Sequence, residues 1–145
     1  MMKIFLTILI ALFLFYGISH SQQEKQTGFT MILQADTGSH EGLARALHAL
    51  LYAEELLQGG YSVVLIFDGA GTTWAETMQD STNNLHASYE RLKSLGVIEE
   101  ICDFCAGAFK VKGNLKRQNI PLTGEFRGHP SIRKWVDQGY QIIII

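Results

Sequence analysis

A chain of 145 residues with a formal charge of -2 and both signs scattered along it has room for one domain and no basic face with which to hold nucleic acid. Its two cysteines, spaced C-x-x-C, are too few for a disulfide framework and have no second pair with which to share a metal.

The amino terminus, MMKIFLTILIALFLFYGISHSQQ, places Lys3 before an apolar run from Ile4 to Tyr16 and the small residues Ser19 and Ser21. A run of about 13 residues is short of the roughly 20 that a spanning helix needs. It reads as a secretory signal peptide, residues 1–21, cut after Ser21, with residues 22–145 as the mature domain. No cysteine lies near the junction for lipid attachment. Losing Lys3 takes the formal charge from -2 to about -3. The expected location is periplasmic or secreted, with no membrane contact once the signal is removed.

In the mature chain, FTMILQAD (29–36) is a short apolar run that predicts a buried strand. From Glu41 to Leu57, Leu43, Ala46, Leu47, Leu50, Leu51 and Leu57 recur at helical spacing, and Gly59 and Gly60 stop the helix. YSVVLIFDGAG predicts a second strand, apolar enough to be covered on both faces. A loop containing Trp74 and Met78 follows, then a helix over Asn84 to Leu95 ended by Gly96, a short strand near Ile98 to Ile101, and a helix after Cys102. Beyond the turn-rich NIPLTGEFRGHPS, a helix is expected from Pro130 to Gly139 and a last strand over YQIIII. Strands alternating with helices predict an α/β fold with a mostly parallel sheet.

In such sheets ligands gather beyond the carboxyl ends of the strands, where ADTGSHEG, FDGAGTTW and CDFCAG should meet. If a helix starts at Asp103, Cys102 is its N-cap, and the positive helix end favours a thiolate, lowering the pKa from about 8.5 toward neutrality. Cys105, at i+3 on the same face, can close a disulfide or resolve a persulfide. Outside the cytoplasm the pair tends to oxidise, although so small a loop adds little stability.

Asp103 reads as a first-turn acid, Phe104 and Phe109 as packing residues, and Lys110 and Lys112 as solvated charges, Lys110 being kept as a weak contact for an anionic donor. Zinc could take two ligands from C-x-x-C and others from His40, His48 or His129, but the spacing to His129 is long and no metal is expected. Haem attachment requires a histidine where Ala106 stands. No cofactor is called for. Gly69-Ala70-Gly71 suits a tight turn better than an anion cradle, and Asp68 can line the cleft. Ser39 reads as a helix cap, with His40 beside it a weak site candidate. His129, held extended by Pro130, suits capping or packing better than catalysis and is carried as a candidate binding residue. There is no G-x-S-x-G elbow to suggest a hydrolase.

The order of elements, the strand ending in Cys102, the C-x-x-C followed by small residues, and the tail GEFRGHPSIRKWVDQGYQIIII together resemble the DsrE/DsrF-like family over Phe29 to Ile145. The resemblance implies a three-layer, flavodoxin-like sandwich with a sheet of about five strands. It also implies a sulfurtransferase-like carrier in which Cys102 accepts sulfane sulfur as a persulfide, while Cys105 matches a second cysteine found in only some members. Many members follow the cysteine with an Arg-Gly pair; here the sequence is FKVKG, so Lys110 and Lys112 would supply the charge. The partners implied are a small sulfur donor or a thiol protein, and a homo-oligomer. Two other readings of the same pair stand beside it: a dithiol/disulfide redox protein, and a non-catalytic binding or assembly module with a local disulfide.

Overall fold

The computed structural model describes residues 28–145, so the signal peptide read over 1–21 lies outside the described residues. Four strands, β1 (Gly28–Leu33), β2 (Ser62–Phe67), β3 (Ile98–Ile101) and β4 (Gln141–Ile144), form one sheet in the order β3-β2-β1-β4, every pair parallel. The chain steps outward from β1 through β2 to β3, then returns to the far side of β1. Against about five strands expected, four are found among the described residues. Beyond β3 the sheet continues only as a single bridge, Cys102 to Thr123.

Helix α1 (His40–Gln58) starts where Ser39 Oγ accepts the Gly42 amide at 3.0 Å, and it ends at Gly59 before Gly60 turns with φ 83°. Its small residues Ala46, Ala49 and Ala53 lie flush on the sheet around Leu50, so the helix approaches closely. They pack with Met31, Leu33, Val63, Leu65 and Phe67 in the main core. The alternate residues Ile32, Val64 and Ile66 point to the opposite face and meet Trp135. This alternation, apolar on both sides, is why β2 reads as a continuous apolar run.

The other helices are α2 (Thr72–Thr77), α3 (His86–Ser94), α4 (Asp103–Ala108), α5 (Lys112–Arg117) and α6 (Ile132–Asp137). Two of them correct the sequence reading. Trp74 belongs to α2 rather than to a loop, and α5 has no counterpart in the expected elements. Both span only six residues, too few for an apolar repeat to complete itself. The closing helix starts later than Pro130, because Ser131 is the cap and its Oγ accepts the Lys134 amide at 3.4 Å. Among the described residues no helix is long and apolar enough to cross a membrane.

Buried Glu100 of β3 is tied to α6 by Lys134 Nζ and by Trp135 Nε1, the latter at 3.3 Å. Lys134 also bonds Glu125 at 2.8 Å, and the other Glu125 oxygen takes the Ser131 amide at 3.0 Å. A buried carboxylate is tolerable only when paired in this way. The effect is to fix both ends of the segment Glu125–Ser131 against the sheet.

Candidate functional site

The first three strands bring their following loops together. Trp74 Nε1 donates to Asp36 O at 3.0 Å, joining α2 to the loop after β1, and Cys105 Sγ donates to Asp68 Oδ1 at 3.2 Å, joining α4 to the loop after β2. Cys102 follows β3 directly. It is the N-cap of α4 in extended conformation, and its sulfur accepts the Cys105 amide at 3.4 Å.

The segment Phe126–His129 is a tight turn with Arg127 at φ 51° and Gly128 at φ 88°, closed by two reciprocal backbone bonds of 2.8 and 2.9 Å. Two successive positive φ values make this a turn of the I′ kind, for which Gly128 is suited. The turn docks on α4: Gly128 O accepts the Phe104 amide at 2.9 Å, and Thr123 O accepts the Asp103 amide at 2.9 Å. His129 is thereby delivered to the cysteines. Its Nδ1 lies 3.2 Å from Cys102 Sγ, 3.8 Å from Cys105 Sγ and 3.9 Å from Asp68 Oδ1. Both thiols are free, and the two cysteines approach to 3.3 Å.

The electrostatics differ from the sequence expectation. Cys102 does cap a helix, but it has no exposed surface. Burial pushes its thiol up to about 12 against the pull of the Cys105 amide. Cys105, 8 % exposed, is also raised, first by burial and then by the Asp68 carboxylate. The expected ready thiolate is therefore replaced by a protonated thiol with the His129 imidazole beside it. Burial works to raise Asp68 as well, but hydrogen bonds from Cys105 and Gln34 outweigh it and hold the carboxyl below its ordinary range.

This has a consequence for stability. The folded chain holds the Cys102 proton up to about pH 12, whereas an ordinary thiol releases it near 9.0, so this contribution is complete below pH 9.0 and is lost between there and about 12. Under reducing conditions the urea midpoint should fall across that window more steeply in wild type than in Cys102→Ser, whose hydroxyl does not ionise. Equal slopes would remove the buried thiol as the cause.

Of the residues singled out in the sequence, Cys102, Cys105, Asp68 and His129 meet at one point. His40 begins α1 and Lys110 follows α4 at φ 65°, and neither has an atom in this cluster. Lys112 pairs with Asp103 at 2.7 Å. Phe104 and Phe109 correct their reading as packing residues: they are 59 % and 45 % exposed, and Phe104 lies against the His129 ring at 4.9 Å between centroids. A cavity of about 820 Å³ opens on the α6 side of the sheet and reaches Asp68 and His129 past Ile66, Phe126 and Ile132.

Fold and cluster together define an α/β protein with an all-parallel four-strand sheet and a dithiol, imidazole and carboxylate at its carboxyl edge. The chain belongs to the family of the uncharacterized protein MJ0733 of Methanocaldococcus jannaschii, to which it is 34% identical over 97 residues, 67% of this chain and 77% of that protein. No family model matches the chain, and no solved structure matches it.

Proposed function

We propose that the protein handles sulfane sulfur, with Cys102 as the accepting nucleophile and Cys105 as the resolving thiol. The observation that carries this reading is His129 Nδ1 at 3.2 Å from Cys102 Sγ, a base within reach of the proton that must leave. The Cys102 sulfur attacks the outer sulfur of a donor persulfide or polysulfide as its proton passes to His129. The donor leaves as thiolate, and Cys102 carries the persulfide. Ionised Asp68 stabilises the imidazolium across 3.9 Å. A Cys105 thiolate then attacks the Cys102 inner sulfur, giving the disulfide and hydrosulfide, or an outside thiol takes the sulfur instead.

The DsrE/DsrF-like resemblance of Phe29 to Ile145 supports this reading, as does the cavity that leads to His129 and Asp68. The fold that goes with it is a flavodoxin-like sandwich with α6 as a thin third layer. The apolar segment ahead of Ser21 supports export to the periplasm or beyond. Exposed Phe104, Phe126 and Ile132 beside the site support a homo-oligomer or a docked thiol protein, which light scattering of the purified protein can separate.

The test is intact-mass analysis of the reduced protein, treated with chelator and then exposed to polysulfide or thiosulfate. An adduct of about 32 Da on Cys102 is expected, retained longer in Cys105→Ser and absent from Cys102→Ser. A Cys102–Cys105 disulfide in wild type, with no adduct on Cys105→Ser, would favour dithiol/disulfide exchange. No reaction at either cysteine would leave a binding module.

A further inference from the structure

We propose that Asp68, Cys102, Cys105 and His129 form a four-coordinate site for a thiophilic divalent metal ion of the zinc type. The two sulfurs, His129 Nδ1 and an Asp68 oxygen all lie within 4.8 Å of one another. A tetrahedral ion with ligand bonds of about 2.0–2.3 Å requires its ligand atoms roughly 3.3–3.8 Å apart. The measured separations are 3.2 Å for Cys102 to His129, 3.2 Å for Cys105 to Asp68, 3.8 Å for Cys105 to His129 and 3.9 Å for His129 to Asp68, with the cysteines approaching to 3.3 Å. Five of the six pairs need adjustments of a few tenths of an ångström; the sixth, Cys102 to Asp68, lies within 4.8 Å, and side-chain rotation of about 1 Å at most closes it, with no segment having to be relocated.

Donor type agrees with spacing. Two thiolates, an imidazole and a carboxylate suit a borderline-soft ion and not magnesium or calcium, which take oxygen alone. Three of the four donors are held by a further bond: Asp68 by Gln34 through its second oxygen at 3.1 Å, Cys102 by the Cys105 amide at 3.4 Å, and His129 by its docked turn. Such support orients metal ligands. The 24 residues separating Cys105 from His129 hide the set in the sequence, and the turn on α4 removes that separation in space.

Binding balances as one divalent ion plus two thiols giving the metal dithiolate and two protons, since Asp68 is already ionised and His129 coordinates as neutral imidazole. Affinity should rise about a hundredfold per pH unit near neutrality, tenfold for each proton released. This site uses the sulfurs of the sulfur-carrier reading but does not rest on it. While the ion is bound, both thiols are protected from alkylation and from sulfur donors.

The experiment titrates the reduced, chelator-treated protein with zinc against a chromophoric chelator, and with cobalt(II) as the spectroscopic probe. Expected results are one ion per chain, about two protons released, a thiolate-to-cobalt charge-transfer band and the intense visible bands of a tetrahedral site. Asp68→Asn and His129→Gln, both close in shape to the native residues, should each weaken zinc by about tenfold or more, and Cys102→Ser should abolish the cobalt bands. Absence of a one-to-one complex, a pale six-coordinate cobalt spectrum, or zinc affinity indifferent to both conservative variants would overturn the proposal. The mass assay is run with chelator present, so failure of metal binding and failure of sulfur acceptance are separate results.

Discussion

His129→Ala should slow sulfur acceptance at Cys102 at neutral pH by a factor of about 10²–10⁴, the range for loss of a positioned general base. The expectation follows from a thiol pushed up to about 12 by burial, which at neutral pH supplies almost no thiolate by itself. In the proposed reaction, nucleophile formation therefore depends on the imidazole nitrogen 3.2 Å away. A purely structural histidine would lower the rate equally at every pH. A base instead leaves a deficit that narrows as pH rises toward the thiol's own value and hydroxide does the same work. Rates of adduct formation measured by mass from pH 7 to 10 on wild type and variant decide the matter. Equal rates at pH 7 would remove His129 from the chemistry.

Gly71→Ala should cost about 3 kcal/mol, at the upper end of overpacking effects. A Cβ on Gly71 would sit 1.9 Å from Leu33 O and 2.7 Å from its carbonyl carbon, so either the start of α2 or the end of β1 must move. The same strand end takes the Asp68 amide at 3.0 Å, and the displacement would be passed to the carboxylate of the site. Gly69→Ala is the control. Gly69 sits at φ 53° with nothing within 4 Å of its added carbon, so only the left-handed backbone strain of about 1 kcal/mol applies. Urea midpoints at unchanged m-value measure both. A Gly71→Ala variant no weaker than Gly69→Ala would show that β1 and α2 can separate at no cost.

β1, β2 and β4 were readable because they are dense in β-branched and apolar residues, β3, with its two glutamates, from its place after Gly96, and α1 because an apolar stripe repeats over 19 residues. The placement of Cys102 as a helix cap followed from a helix expected after it, on the condition that the helix starts at Asp103, which is where it starts. Its ionisation did not follow. A sequence indicates where a helix begins, but not that the sulfur there is wholly covered, and that covering raised a pKa expected to fall. Likewise His129 and Cys102 are 27 residues apart and meet only because an Arg127-Gly128 turn docks on the start of α4. The Arg-Gly pair lacks the Asn-Gly or Asp-Gly signature by which such a turn is recognised.

The docking of that turn also bears on what the cleft will accept. At the tip of α4 the amides of Asp103, Phe104, Cys105 and Ala106 already donate to Thr123 O, Gly128 O, Cys102 Sγ and Cys102 O, and the nearby Lys112 ammonium is committed to Asp103. A hard oxyanion arriving there finds its usual welcome taken. At that tip a visitor meets the Cys105 sulfur, the His129 imidazole and the Phe104 ring, groups matched to soft, polarizable donors, so in the proposed reaction polysulfide should outcompete thiosulfate.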